Sequence, residues 1–239
     1  MTSTTTKSAY WMGVRDGAPF ILVAAPFAVL FGVIATDAGL NLFEVMSSSF
    51  VVMAGAAQFT ALELMQKEAP TLIVLISALA VNLRVAMYSA AITPYLGTAP
   101  LWQRVLMSYM LVDQSYALAH AKFEDAPNMS VPQRTAYYFG TCTLVMGAWF
   151  ICSFLGAALG TQLSPSIPID FALPIAFLSM IAPMIRSLSH LVAAITAIVV
   201  SLICINVPYS LGLIIAGFAG MAAGSRTEVW VTSKQEAGP

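Results

Sequence analysis

The chain has 239 residues, 59% of them hydrophobic and only 9% charged. A soluble domain carries about 25% charged residues, so a mean hydropathy of +0.84 excludes an ordinary soluble globule and requires lipid to face. The net charge is −1 and no basic tract exists, so nucleic acid is not an expected partner.

In chain order, residues 1–16 read as a polar leader, with MTSTTTKS expected to be disordered. No small-residue cleavage site follows the first apolar run, which therefore reads as a retained span rather than a signal peptide. Runs of spanning length fall at 17–36, 45–66, 71–97, 101–121, 135–162, 168–186, 189–206 and 208–224. They are continuous rather than alternating, and open sheet edges do not face lipid. The expected fold is an all-α polytopic membrane bundle of about eight transmembrane segments, with one or two short runs that could be re-entrant. One domain spans 17–224, and 225–239 is a polar tail. With eight crossings, Lys7, Arg15, Lys67, Lys122, Arg134, Arg186, Arg226 and Lys234 share one side and only Arg104 takes the other. Both termini are then expected in the cytoplasm.

The first span carries Pro19 and Pro26; the latter removes an interior hydrogen bond and points to a kink or a break. The second places Gly55, Ala56 and Ala57 beside Gln58 at depth, small residues that allow a close helix approach. The third and fourth runs each carry a charge near the middle, Arg84 and Asp113. As antiparallel helices joined near 97–100, they would hold both charges roughly 22 Å from the turn. An unpaired charge there costs several kcal/mol, so the two are expected to meet. Ser77, Arg84 and Tyr88 share one face of the third helix, Asn82 and Ser89 another, which predicts that it is buried. Tyr109, Asp113, Tyr116 and His120 would line the fourth, with Gln114 adjacent. Such a pair is either a register-fixing salt bridge or a transport centre, and its cost in lipid favours transport.

Past the polar 122–134 loop, GAALG in the fifth span is a close-packing motif. Asp170, Pro174 and Pro183 loosely echo Asp16, Pro19 and Pro26, which raises an inverted repeat. Gly212, Ala216, Gly220 and Gly224 form a smooth strip on the last span, open to a helix of this chain or of another subunit. Cys142, Cys152 and Cys204 lie in apolar runs without metal-type spacing, so no metal or cofactor is expected. There is no H-E-x-x-H, no G-x-S-x-G and no Walker-type loop, so an enzyme is not expected.

The segments GAPFILVAAPFAVLFGVIATDAGL, MAGAAQFTALELM, AVNLRVAMYSAAITPYL and LVDQSYALA resemble those of AzlC-type proteins, the larger subunits of branched-chain amino acid (LIV-E) exporters. The similarity is clearest over about 13–120 and continues more diffusely to about 224. The order of these segments carries it, since no single one is specific. Where the family often has His or Tyr after NLR, this chain has Val85. The resemblance implies a bacterial inner-membrane secondary exporter of valine, leucine, isoleucine and often methionine, exchanging against protons. It also implies a small hydrophobic AzlD-type partner of about four helices. On that reading Arg84 binds or charge-balances the substrate carboxylate and Asp113 is its partner or the proton-coupled acid. Gln58, Asn82, Tyr88 and Gln114 supply orienting hydrogen bonds. The alternatives are a non-transporting scaffold subunit, working through the Gly212–Gly224 strip, and a channel.

Overall fold

The computed structural model describes residues 5–160, 178, 185, 187–207 and 211–236. Among them are helices and no strand: α1 (Thr6–Gly17), α2 (Ile21–Asp37), α3 (Leu42–Val51), α4 (Gly55–Gln66), α5 (Thr71–Leu96), α6 (Leu101–Tyr109), α7 (Asp113–Asp125), α8 (Val131–Gly160), α9 (Leu188–Ile203) and α10 (Leu211–Glu236). Local chemistry starts several of them. The Thr5 hydroxyl accepts the Ser8 amide, Asn41 and Glu44 form a capping box before α3, and Ser187 accepts the His190 amide. Pro70 and Pro100, held extended, stand before α5 and α6.

Three helices among the described residues are long and apolar enough to cross a membrane: α1–α2 as one rod, α5 and α8. The α1–α2 rod runs parallel to α8. Tyr10 bonds Thr143 and the Tyr137 hydroxyl donates to Asp16 near one end, while Thr36 reaches the Ala157 carbonyl near the other. Glycine allows this approach: a Cβ at Gly140 would overlap the Tyr10 carbonyl, and one at Gly156 the Val29 carbonyl. The expected GAALG contact is thus made against α2. Helix α5 runs the other way, its last turn placing Tyr95 under Arg134 at the start of α8, 5.4 Å from ring centre to guanidinium.

Between these rods the stretches 45–66 and 101–121, each expected to be one continuous span, instead break and turn back. Ser48 on α3 and Gln58 on α4 are hydrogen-bonded across the interruption at 52–54. Val45 and Leu62 share one buried cluster. Both pairs are symmetric about the break, the signature of a helical hairpin. In the second segment α6 runs back along α5, with Arg104 bonded to the Gly97 carbonyl. Helix α7 then runs parallel to α5: Arg84 meets Asp113, Tyr88 stacks on Tyr116, and Tyr95 meets His120 and Phe123. A straight α6–α7 helix would have run antiparallel. The correction has a physical reason: each hairpin leaves backbone groups unpaired at its tip, and those tips face one another rather than lipid.

Residues 6–125 therefore form two inverted units, each a long rod followed by a re-entrant hairpin. The outgoing helices share a sequence echo, AQFTAL at 57–62 and DQSYAL at 113–118, 56 positions apart. This differs from the expected repeat, whose second copy at Asp170, Pro174 and Pro183 lies outside the described residues, as does most of the expected span 168–186.

Three further expectations are corrected. The leader does not end at residue 16, because 6–16 is helical and packed on α8 with Ala9 fully buried. Pro26 does not interrupt α2, and the irregular turn is a 3-10 segment at Ala18–Phe20 carrying Pro19. Helix α5 is not buried on all sides: Leu72, Leu75, Leu79, Leu83 and Met87 form one exposed apolar face, suited to lipid. The polar stretch after 224 continues α10 to Glu236. The smooth strip of α10 is taken by α9, with Gly220 and Gly224 against Ala193 and Gly212 against Cys204.

Candidate functional site

The two hairpin tips meet over a cavity bounded by α2, α5 and α8. It contains about 70 Å³ of water-accessible space, room for roughly five waters and so for a small solute. The tips are tied together and braced from behind. The Tyr109 hydroxyl donates to the Phe50 carbonyl at the end of α3, joining one hairpin to the other. Ser115 Oγ accepts the Val112 amide at 3.0 Å, and the Tyr138 hydroxyl donates to the Met107 carbonyl at 2.9 Å. These bonds satisfy backbone that the interrupted helices release.

Arg84 and Asp113 meet as the charge argument requires, with Nη2 to Oδ2 at 3.2 Å and side chains 35% and 15% exposed. Tyr88 donates to the other carboxylate oxygen at 2.9 Å and stacks on Tyr116 at 4.3 Å. Asp113 is the first residue of α7, where a negative charge is favoured by the helix dipole. It is therefore held by a cation, a phenol and a helix end together. Tyr109 is not part of its stripe, because the helix restarts at Asp113 and the expected periodicity is broken at 110–112.

Of the six residues expected at the site, Arg84, Asp113, Asn82 and Gln114 line the cavity. Tyr88 acts on it through Asp113. Gln58 does not reach it: its Nε2 donates to Ser48 at 3.4 Å, which makes it a brace of the first hairpin. The Oδ1 atom of Asn82 is buried with no donor among the described residues.

The opposite wall was not foreseen from the sequence. Phe27, Val145 and Trp149 supply an apolar surface, with Trp149 stacked on Phe31 at 6.0 Å and Phe27 against Phe59 at 4.7 Å. Gly55 makes room for the indole, since a Cβ there would lie 2.5 Å from Trp149 Cη2. The signal available in the sequence was Gly55 alone; nothing local marks Trp149. The cavity thus pairs an apolar wall with a charged one, an arrangement suited to a small amphipathic solute.

Comparison with known proteins places the chain among membrane proteins. The family described as AzlC protein matches residues 19–163, more than half of the chain and all of both hairpins. An uncharacterized membrane protein of Helicobacter pylori is 23% identical over 176 residues, covering 73% of this chain and 75% of its own length. The inner membrane protein YgaZ of Escherichia coli is 23% identical over 181 residues, covering 73% of each. No solved structure matches. The chain is a membrane protein and belongs to the AzlC family.

Proposed function

We propose that this protein is a secondary exporter of branched-chain amino acids, valine, leucine and isoleucine with methionine as a further substrate, in the bacterial inner membrane. It is a carrier, not an enzyme, works with a small hydrophobic AzlD-type subunit, and exchanges substrate against protons. The observation that carries this reading is the Arg84–Asp113 pair on the wall of a cavity at the meeting point of two interrupted helices. An ion pair inside lipid stabilises a fold poorly, so its position beside a solute-sized space favours transport over architecture. Loss of the Asp113 charge would weaken its hold on Arg84, giving the two hairpins a reason to shift.

Orientation has independent support. With both hairpins re-entrant, and counting only as far as residue 134, Lys7, Arg15, Arg104, Lys122 and Arg134 share the face of the amino terminus and Lys67 lies opposite, a bias that supports a cytoplasmic amino terminus. The scaffold reading loses its working surface, because the α10 strip is occupied by α9.

The test is efflux of labelled leucine from loaded vesicles, with and without a pH gradient. Arg84→Ala should reduce efflux to background, and Asp113→Asn should slow efflux and abolish its response to the gradient. Undiminished efflux in both variants would remove the mechanism. Saturation and counterflow distinguish this carrier from a channel.

A further inference from the structure

A second space lies in line with the cavity. It is a groove between α5 and α6 that holds about 460 Å³ of water-accessible space. Its rim is exposed and partly polar, with Thr93, Arg104 and Ser108 at the surface, while its floor is buried. On α5 the cavity wall ends at Val85 and the groove wall begins at Ser89, about one helical turn further. On α8 the cavity reaches Val145 and the groove Tyr138, about two turns apart. The groove follows α5 to its carboxyl-terminal end, on the side of the amino terminus of the chain.

Among the described residues one borders both spaces, Leu111. It is 4% exposed and shares an apolar cluster with Val85 and Met146 of the cavity wall and Ile92 and Met107 of the groove. Leu111 sits in the break between α6 and α7, where its amide has a long 3.4 Å bond to the Ser108 carbonyl. The peptides on either side are pinned by one serine. Ser115 Oγ accepts the Val112 amide at 3.0 Å and lies 3.2 Å from the Met110 carbonyl. The backbone is thus fixed, while the isobutyl group is held by apolar contact alone. Its displacement is a change of side-chain rotamer and breaks no hydrogen bond.

We propose that the α5–α6 groove is the vestibule through which a small amphipathic solute reaches the cavity from the amino-terminal face, and that Leu111 is the plug between them. The rim, Arg104 included, suits a solute carrying a carboxylate, and the floor suits an aliphatic side chain. This deepens the exporter reading and rests on it for the identity of the solute; the access route stands without it.

The test is thiol accessibility in the purified full chain, with Cys152 and Cys204 replaced by alanine and the fully buried Cys142 retained. Val85→Cys reports on the cavity and Thr93→Cys on the groove, and the reagent is sulfonatoethyl methanethiosulfonate. Labelling follows the open fraction of the plug, so Leu111→Ala should speed that of Val85→Cys about tenfold or more and leave Thr93→Cys within twofold. Ser108→Trp, at an exposed position, fills the groove and should slow labelling of Val85→Cys. This second variant decides the matter if Leu111→Ala fails to fold. Labelling of Val85→Cys that neither substitution changes overturns the route, and a response to Leu111→Ala alone overturns the groove as its entrance. Leucine efflux separates this claim from the exporter reading. Accessibility that follows both substitutions, with no leucine efflux by the wild type, keeps the vestibule and rejects the exporter. Leucine efflux with accessibility indifferent to both does the reverse.

Discussion

The two re-entrant hairpins are built to one plan and equipped differently. At the 56-residue offset Asp113 corresponds to Ala57, and Arg84 on the preceding rod corresponds to Ala28. The α6–α7 unit thus carries a complete charge pair where the α3–α4 unit carries two alanines, both almost fully buried. One tip is neutralised by its own acid; the other leaves its helix end open to the cavity. A scaffold repeated twice thus carries a charge pair in one copy only.

The strongest test of this comparison is topological. Single cysteines replacing Lys67 and Arg104 should fall on opposite faces, with Arg104→Cys on the side of the amino terminus. Labelling by an impermeant thiol reagent should be all or none, on a background lacking the native cysteines. Two straight crossings would exchange both results. Next in size is the charge pair. Asp113→Ala leaves Arg84 without its partner and should destabilise the protein by about 2–3 kcal/mol, less than a fully buried pair because Arg84 is 35% exposed. Adding Arg84→Ala should recover part of that loss, measured as the coupling in a double-mutant cycle of denaturation.

The first hairpin is tested by Gly55→Ala. Its Cβ would displace the Trp149 ring, with an expected overpacking cost of about 1–3 kcal/mol and a change in tryptophan fluorescence. A similar loss, without the fluorescence change, is expected when a support of the second tip is removed. Ser115→Ala leaves the Val112 amide unpaired, for about 1–2 kcal/mol by thermal denaturation. The smallest effect belongs to Tyr88→Phe, about 1 kcal/mol with a few-fold slower efflux, since Asp113 retains Arg84.

The meeting of Arg84 and Asp113 was legible because lipid leaves a charge so few options. The small-residue contacts of Gly156 and Gly160 with α2 were legible for a related reason, since only small side chains let rods approach so closely. The hairpin breaks were not. They fall at Val52–Met53–Ala54 and Met110–Leu111–Val112, apolar stretches with no proline and no glycine inside, so both runs read as uninterrupted spans. The AQFTAL and DQSYAL echo was visible but points to a repeat, not to a reversal. Trp149 had no local mark at all, because its role depends on Gly55, which is distant in the chain.

What the sequence alone determined is the solvent and the obligations: apolar runs must form helices in lipid, and opposite charges within them must find each other. Only the tertiary structure decided where the helices stop. Backbone freed at a break is tolerable only when distant partners such as Tyr109, Ser115 and Tyr138 satisfy it, and those partners exist only once the two tips have come together.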